Sequence, residues 1–403
     1  MTQSRSASAQ SKPSHGKGKE VHLPVGSKVV TDETGLSALI ALLRKIGYET
    51  IGPKLRDGAV VYEEIESIED FPVGWSDEQE PGKYRLVKGT ENSFFEYLVG
   101  PTSWKKYLFP PTHKMWEGDR KNGSFTVKDK PVEAPAYAFI GVRSCELNAI
   151  LIQDKVFGFG RDDNHGGGIF SDPGYVERRK KSLLIAVNCS RAGNTCFCTS
   201  MGGDPHVKEN QGYDLSLTEF AGKGKHEFLM EVGSERGALI LELLPYRQAA
   251  ASDLHAEQEQ ARKARSQMGR KMVPDVKDVL KRNLNHPRWE KVADRCLSCA
   301  NCTMSCPTCF CSTVEERTDL TGDHTERWRL WDSCFSVDFS YIHGGSVRRE
   351  TKSRYRQWMT HKLSNWHDQY GTSGCVGCGR CITWCPVGID ITQEAKAIKD
   401  SGE

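Results

Sequence analysis

The sequence predicts an α+β protein in which an N-terminal mixed α/β domain precedes a helical domain, and three observations predict it. Residues 136–142, 183–188 and 238–243 are short apolar runs of the length expected for buried strands. From Asp253 to Arg295 the pattern turns charged and helical, interrupted at Pro274 and Pro287. Finally, Cys296, Cys299, Cys302 and Cys306, followed by Pro307, are repeated in spacing by Cys375, Cys378, Cys381 and Cys385, followed by Pro386.

With 403 residues the chain is longer than one domain of about 100–200 residues, so it divides into two or three units. Its 55 Lys and Arg against 53 Asp and Glu leave no single-sign field to attract nucleic acid. Residues 1–20 are Ser, Lys, Gly and His without an apolar core, which reads as a disordered arm rather than a secretory segment. No later run reaches the ~20 apolar residues of a membrane helix, so a cytoplasmic protein without membrane insertion is expected.

Leu36, Leu39, Ile40, Leu43 and Ile46 recur at helical spacing and Gly47 ends the pattern, predicting a helix over 36–46. Arg56-Asp57-Gly58 separates two strand-like runs and predicts a hairpin. Residues 66–135, rich in Pro, Gly and acidic residues, read as irregular structure packed on a sheet. The stretch Glu146 to Phe157 carries Leu147, Ile150, Leu151 and Val156 on one face; between two apolar runs it predicts a βαβ-like unit. The domain boundary falls near residue 250, giving 1–20, 21–250 and 251–403 as arm, mixed domain and helical domain.

Fifteen cysteines in a long chain, clustered at ligand spacing, point to metal rather than disulfides. The run C-x2-C-x2-C-x3-C-P supplies four thiolates to a 4Fe-4S cubane, and two copies make the pattern specific for two clusters. In two-cluster ferredoxins the fourth cysteine of each run serves the other cluster. Cys296, Cys299, Cys302 and Cys385 are therefore assigned to one cluster, and Cys375, Cys378, Cys381 and Cys306 to the second. Small or turn-prone Gly377, Gly379, Ala300 and Asn301 let backbone N–H groups approach the sulfurs. Two zinc sites are the competing reading, but zinc takes two close ligands per loop and has no use for a third and fourth at these intervals.

The residues between the runs read as helical, with Trp328, Trp331, Phe335, Phe339 and Tyr341 on one side and the basic stretch Arg348 to Lys362 on the other. Cys309, Cys311 and Cys334 are left over there; they either ligate or shield a cluster, or pack as buried thiols beside it. Four more cysteines follow strand-like runs: Cys145, Cys189, Cys196 and Cys198. Strand ends are where α/β sheets bind ligands, and a helix N-terminus at Cys145 favours thiolate. Together these four would hold a third iron-sulfur cluster; a zinc site or four buried thiols are the alternatives.

No phosphate-cradling G-x-x-x-x-G-K-[ST] or G-x-G-x-x-G run occurs, so no dinucleotide site is expected on this chain. Gly202-Gly203-Asp204-Pro205 reads as a tight turn, Gly166-Gly167-Gly168 after Asp162, Asp163 and His165 as a flexible loop, and His343 as structural.

The segments Gly141 to Leu147, Asn188 to Gly202 and the two cysteine runs together resemble the 4Fe-4S dicluster subunit family. That family includes the β subunits of sulfhydrogenase-type cytoplasmic nickel-iron hydrogenases and the A subunit of anaerobic sulfite reductase. Gly47-Tyr48 with Gly52-Pro53, Pro81 to Leu86 and Phe109-Pro110-Pro111 extend the resemblance over most of the chain. It implies an electron-transfer subunit without its own substrate site. Its partners would be a flavin-containing, NAD(P)H-linked subunit and a catalytic subunit, either the large and small nickel-iron hydrogenase subunits or a sirohaem protein. A second hypothesis makes the N-terminal cysteines catalytic toward a sulfur substrate such as polysulfide; a third makes the chain a metal-stabilised scaffold.

Overall fold

The computed structural model describes residues 22–129, 134–160, 171–222 and 225–401, so the N-terminal arm and Gly166-Gly167-Gly168 lie outside the described residues. The chain begins with β1 (Lys28–Asp32) and α1 (Glu33–Lys45). Asp32 caps α1 by accepting from the Gly35 N–H at 3.1 Å, and Leu36, Leu39, Ile40 and Leu43 form its buried stripe. The hairpin of β2 (Glu49–Arg56) and β3 (Ala59–Glu64) turns through Asp57 and Gly58, both at positive φ (49° and 75°). Helix and hairpin are those expected.

Residues 66–135 hold more order than their composition announced. β4 (Trp75–Glu80) pairs with β5 (Lys83–Lys88), and after the short α2 (Lys105–Leu108), β6 (Thr112–Lys121) pairs with β7 (Ser124–Asp129). Charged residues in these strands hide the two-residue period. The turns carried the signal: Gly82 lies at φ 71°, and Asn122-Gly123 at 51° and 79°.

β8 (Tyr137–Val142), α3 (Ser144–Phe157), α4 (Pro173–Lys181) and β9 (Leu183–Val187) then form the expected crossover, with β8 and β9 parallel. β10 (Leu215–Gly222) runs parallel to β9, and β11 (Lys225–Val232) folds back on it. α5 (Glu235–Leu241) and the two-residue β12 (Arg247–Gln248) follow. The main sheet has eight strands in the order β12-β1-β11-β10-β9-β8-β2-β3.

The run 238–243 was expected as a strand and is mostly helix, part of α5. Ser234 caps it by accepting from the Gly237 N–H at 3.0 Å, and a Cβ at Gly237 would sit 1.9 Å from the Asp214 carbonyl oxygen. A close helix–sheet approach thus overrides an apolar run whose length fits either element.

Beyond residue 250 come α6 (Ala251–Ser266), α7 (Val276–Arg282), α8 (Arg288–Ala293) and α9 (Asn301–Met304). The stretch between the cysteine runs was expected to be helical throughout and is not. It opens with a hairpin, β13 (Ser312–Thr318) and β14 (His324–Trp331), before α10 (Thr351–Thr360) and α11 (Trp366–Tyr370); α12 (Arg380–Thr383) lies in the second run and α13 (Ile391–Ser401) follows it. β14 pairs with β6, so a second sheet, β13-β14-β6-β7, joins this stretch to the earlier chain. Trp328 and Trp331 accordingly belong to a strand. The Trp331 indole donates to the Phe109 carbonyl at 2.9 Å, whereas Phe335 is buried in a separate helical core with Trp358, Met359 and Ile382. Among the described residues no helix is long and apolar enough to cross a membrane.

Leu184 lies fully buried in β9, whose residues are all inaccessible to solvent. Leu184→Ala is expected to remove about 2–5 kcal/mol of stability, read as a lowered unfolding midpoint of the metal-loaded protein in denaturant.

Candidate metal centres

Each cysteine run is a tight loop running into one helical turn, α9 in the first and α12 in the second. Ser298 and Ala300 lie at φ 52° and 65°, and the equivalent Gly377 and Gly379 at 68° and 81°. This left-handed pair flanks the second cysteine of each run and turns backbone N–H groups inward. Ser298 donates to Cys296 Sγ at 3.4 Å, Gly377 to Cys375 Sγ at 3.4 Å, and Ile389 to Cys385 Sγ at 3.3 Å. Of the residues singled out in sequence for this role, Gly377, Gly379 and Ala300 occupy these positions, whereas Asn301 begins α9.

The folded chain crosses the runs over. Cys385 joins Cys296, Cys299 and Cys302 in one apolar cavity walled by Phe335, Tyr355, Trp358 and Ile389, and Cys381 borders it. Cys306 in turn lies among the sulfurs of Cys375, Cys378 and Cys381. Thr308 and Lys362 tie it there: Thr308 Oγ1 lies 3.2 Å from Cys306 Sγ and donates to the Gly374 carbonyl at 2.6 Å. Lys362 Nζ donates to Cys306 Sγ at 3.3 Å, to Thr308 Oγ1 at 3.1 Å and to the Gly374 carbonyl at 3.0 Å.

The N-terminal cysteines also converge. Cys145 is the second residue of α3 and Cys189 follows β9, so both sit at the carboxyl edge of the parallel strands. The loop after Asn188 returns Cys196 and Cys198 to them, and the four line one cavity with Leu98, Val99 and Met268. Cys198 Sγ is 3.9 Å from Met268 Sδ. Gly202 at φ 79° and an Asp204 carboxylate accepting from the His206 N–H at 2.9 Å make the expected turn behind them.

Cys378 lines this cavity too. The loop carrying it packs so closely that a Cβ on Gly377 would lie 2.6 Å from Cys198 Cα, and the Phe197 N–H donates to the Gly377 carbonyl at 2.9 Å.

Burial raises the thiols of Cys145 and Cys198 above their ordinary range and pushes Cys196 and Cys375 up to about 12. Such thiols ionise when a metal takes the place of the proton, which makes loading part of folding. The donor set fits iron-sulfur better than zinc. Thiolates around one tetrahedral zinc stand roughly 3.8 Å apart, from Zn–S bonds of about 2.3 Å. Among the described residues no three cysteine sulfurs close to within 4.8 Å of one another, as three ligands of one zinc would. Arg143 adds a charge argument: it is 2% exposed, borders the N-terminal cavity and reaches the Cys189 thiol. A buried guanidinium there suits an anionic centre.

Two residues that motif reasoning passed over bind the sites together. Glu146, next to Cys145, is fully buried and pairs with Arg380, which lies between Cys378 and Cys381. The carboxylate also accepts from Tyr62 Oη at 2.9 Å, Trp104 Nε1 at 3.0 Å and the Arg143 N–H at 3.1 Å. Arg380 donates in addition to the Gly100 carbonyl at 2.9 Å and the Thr102 carbonyl at 3.1 Å. Lys362 and Arg354, read in sequence as part of a basic stretch opposite the aromatic side, are buried.

The leftover Cys309, Cys311 and Cys334 gather beside Cys306: the thiol of Cys309 contacts Cys306, and Cys311 and Cys334 contact each other. Lys105 donates to the Cys309 carbonyl at 3.1 Å and lies over the Trp331 ring.

A family model described as a 4Fe-4S dicluster domain matches residues 295–389, the span of both runs. "Sulfhydrogenase 2 subunit beta" of Pyrococcus furiosus is 30% identical over 365 residues, covering 89% of this chain and 94% of the relative. No solved structure matches the chain.

Arg380→Met leaves Glu146 buried without its cation and is expected to destabilise the protein by about 3–5 kcal/mol, measured by denaturant unfolding of the metal-loaded form.

Proposed function

Because the chain belongs to the family of 4Fe-4S dicluster subunits that contains a sulfhydrogenase β subunit, we propose that it is the internal relay of a multi-subunit oxidoreductase. In this reading an NAD(P)H-linked flavin subunit supplies electrons and a nickel-iron hydrogenase catalytic subunit consumes them, or the reverse. That the chain is an iron-sulfur electron-transfer subunit with two 4Fe-4S clusters follows from the family itself. The ligands are Cys296, Cys299, Cys302 and Cys385 for one cluster and Cys375, Cys378, Cys381 and Cys306 for the other. Cys145, Cys189, Cys196 and Cys198 hold a third. When bound, each centre takes up and gives back one electron.

One observation carries the reading: the three cysteine groups share walls. Cys378 borders the N-terminal cavity while belonging to the second run, and Cys381 of that run borders the cavity of Cys296, Cys299, Cys302 and Cys385. The groups form a row from the sheet edge to Cys299, the exposed cysteine at the far end. Leu297 beside it is 63% exposed, an apolar contact for a redox partner. Arg143 and Arg380 hold the shared walls in place and shield the sulfurs from water. The protein is expected in the cytoplasm.

Anaerobically purified protein is expected to carry about twelve irons per chain, and Cys189→Ser about eight with one electron paramagnetic resonance signal missing. Eight irons in the parent would remove the third cluster alone, whereas zinc in place of iron would overturn the relay. The complex purified from its native source through a tag on this chain is expected to contain flavin and nickel. Sirohaem without nickel would place the chain in a sulfite reductase instead.

A further inference from the structure

Lys362 occupies an unusual position for a lysine. α10 continues into one wide, π-helical turn over His361–Asn365 before α11 begins, and this turn carries Lys362 inward to 4% exposure. Extra residues in a helical turn cost regularity and are retained mostly where they place a side chain. Here the ammonium is placed on Cys306 Sγ at 3.3 Å, with Thr308 Oγ1 and the Gly374 carbonyl as its other partners, none of them a carboxylate. The Cys309 and Cys375 thiols face it from the two flanking loops, Lys105 from α2, and the Trp366 ring lies 5.8 Å away. A buried cation without a carboxylate is costly unless an anion faces it.

Of the other buried cations of this region, Arg380 is neutralised by Glu146, Arg354 bonds Ser298 Oγ, Thr351 Oγ1 and two backbone carbonyls rather than a sulfur, and Lys105 donates to the Cys309 carbonyl and lies over the Trp331 ring. The cavity of Cys296, Cys299, Cys302 and Cys385 is lined by no lysine or arginine among the described residues. Among the described residues Lys362 is thus the cation without a carboxylate that is placed on a sulfur of a ferredoxin-type group.

We propose that Lys362 orders the potentials of the relay, making the centre that Cys306 serves easier to reduce than the one Cys299 serves. This rests on the ligand assignment proposed above. Reduction adds one negative charge to a cluster, and a fixed ammonium on a ligand sulfur in a low-dielectric interior stabilises the reduced form. Of the two ferredoxin-type centres, the middle one of the row becomes the electron's resting place, with an uphill step to the Cys299 end. Thr308 and the Gly374 carbonyl position the ammonium, so the effect depends on charge rather than on packing.

The test is a potentiometric titration of the iron-loaded full-length protein, followed by electron paramagnetic resonance. Cys306→Ser first identifies which reduced signal belongs to the Cys306 centre. In Lys362→Met that signal is expected to appear at lower potential, with iron content and the other signal unchanged, and Lys362→Arg is expected to restore most of the shift. If Lys362→Met loses iron, Lys362→Gln, which keeps donors for Thr308 and Gly374, carries the same comparison. An unmoved midpoint in an iron-replete variant, or a shift confined to the other signal, overturns the proposal. Zinc, or fewer than about eight irons in the parent, would instead mark failure of the relay reading itself.

Discussion

The buried carboxylate of Glu146 organises the centre of the molecule. It caps the first turn of α3 through the Arg143 N–H, receives the Tyr62 hydroxyl and the Trp104 indole from earlier chain, and pairs with Arg380 from the second cysteine run. An ion pair this deep survives only because every partner is present. Remove one and the others face a charge without compensation. The network therefore forces four separate segments into a single relative placement, and the placement is the one that puts Cys145 and Cys378 at the same cavity.

That constraint explains why the second run, rather than the first, is embedded. Gly82 packs on the Cys385 carbonyl, Gly379 on Thr195 and Gly377 on Cys198, each so closely that a side chain would clash with backbone. Positive φ at all three positions gives a second reason for glycine. At the equivalent positions the first run carries Ser298 and Ala300, and there the cysteine loop reaches the surface. One repeated motif thus serves as a buried link in one copy and as an accessible terminus in the other.

The two 4Fe-4S clusters were legible from spacing alone, because a cubane demands thiolates at intervals few other structures need. The helix 36–46, the Asp57-Gly58 hairpin and the βαβ unit follow from local rules. What escaped was long-range. β13 and β14 read as helix because aromatic residues recur from Trp328 onward, and pairing with each other and with β6 makes them strands. Residues 238–243 went the other way, since an apolar run does not declare its period. Lys362 stood in sequence as the end of a basic stretch; a single widened turn decides that it points inward. Arg380 sat in plain view between two cysteines, but its partner Glu146 lies far away in sequence.

The sheet β13-β14-β6-β7 bears on modularity. Ferredoxin-type motifs are commonly pictured as portable cassettes, and the composition change near residue 250 invites a cut there. Such a cut would strip β14 of its neighbour β6 and leave hydrogen-bonding edges open on both pieces, each a template for unwanted association. The cysteine loops would also lose the backbone surfaces that Gly82, Gly377 and Gly379 pack against. The chain is built as one inseparable conductor, and transplanting its wiring means transplanting the whole of it.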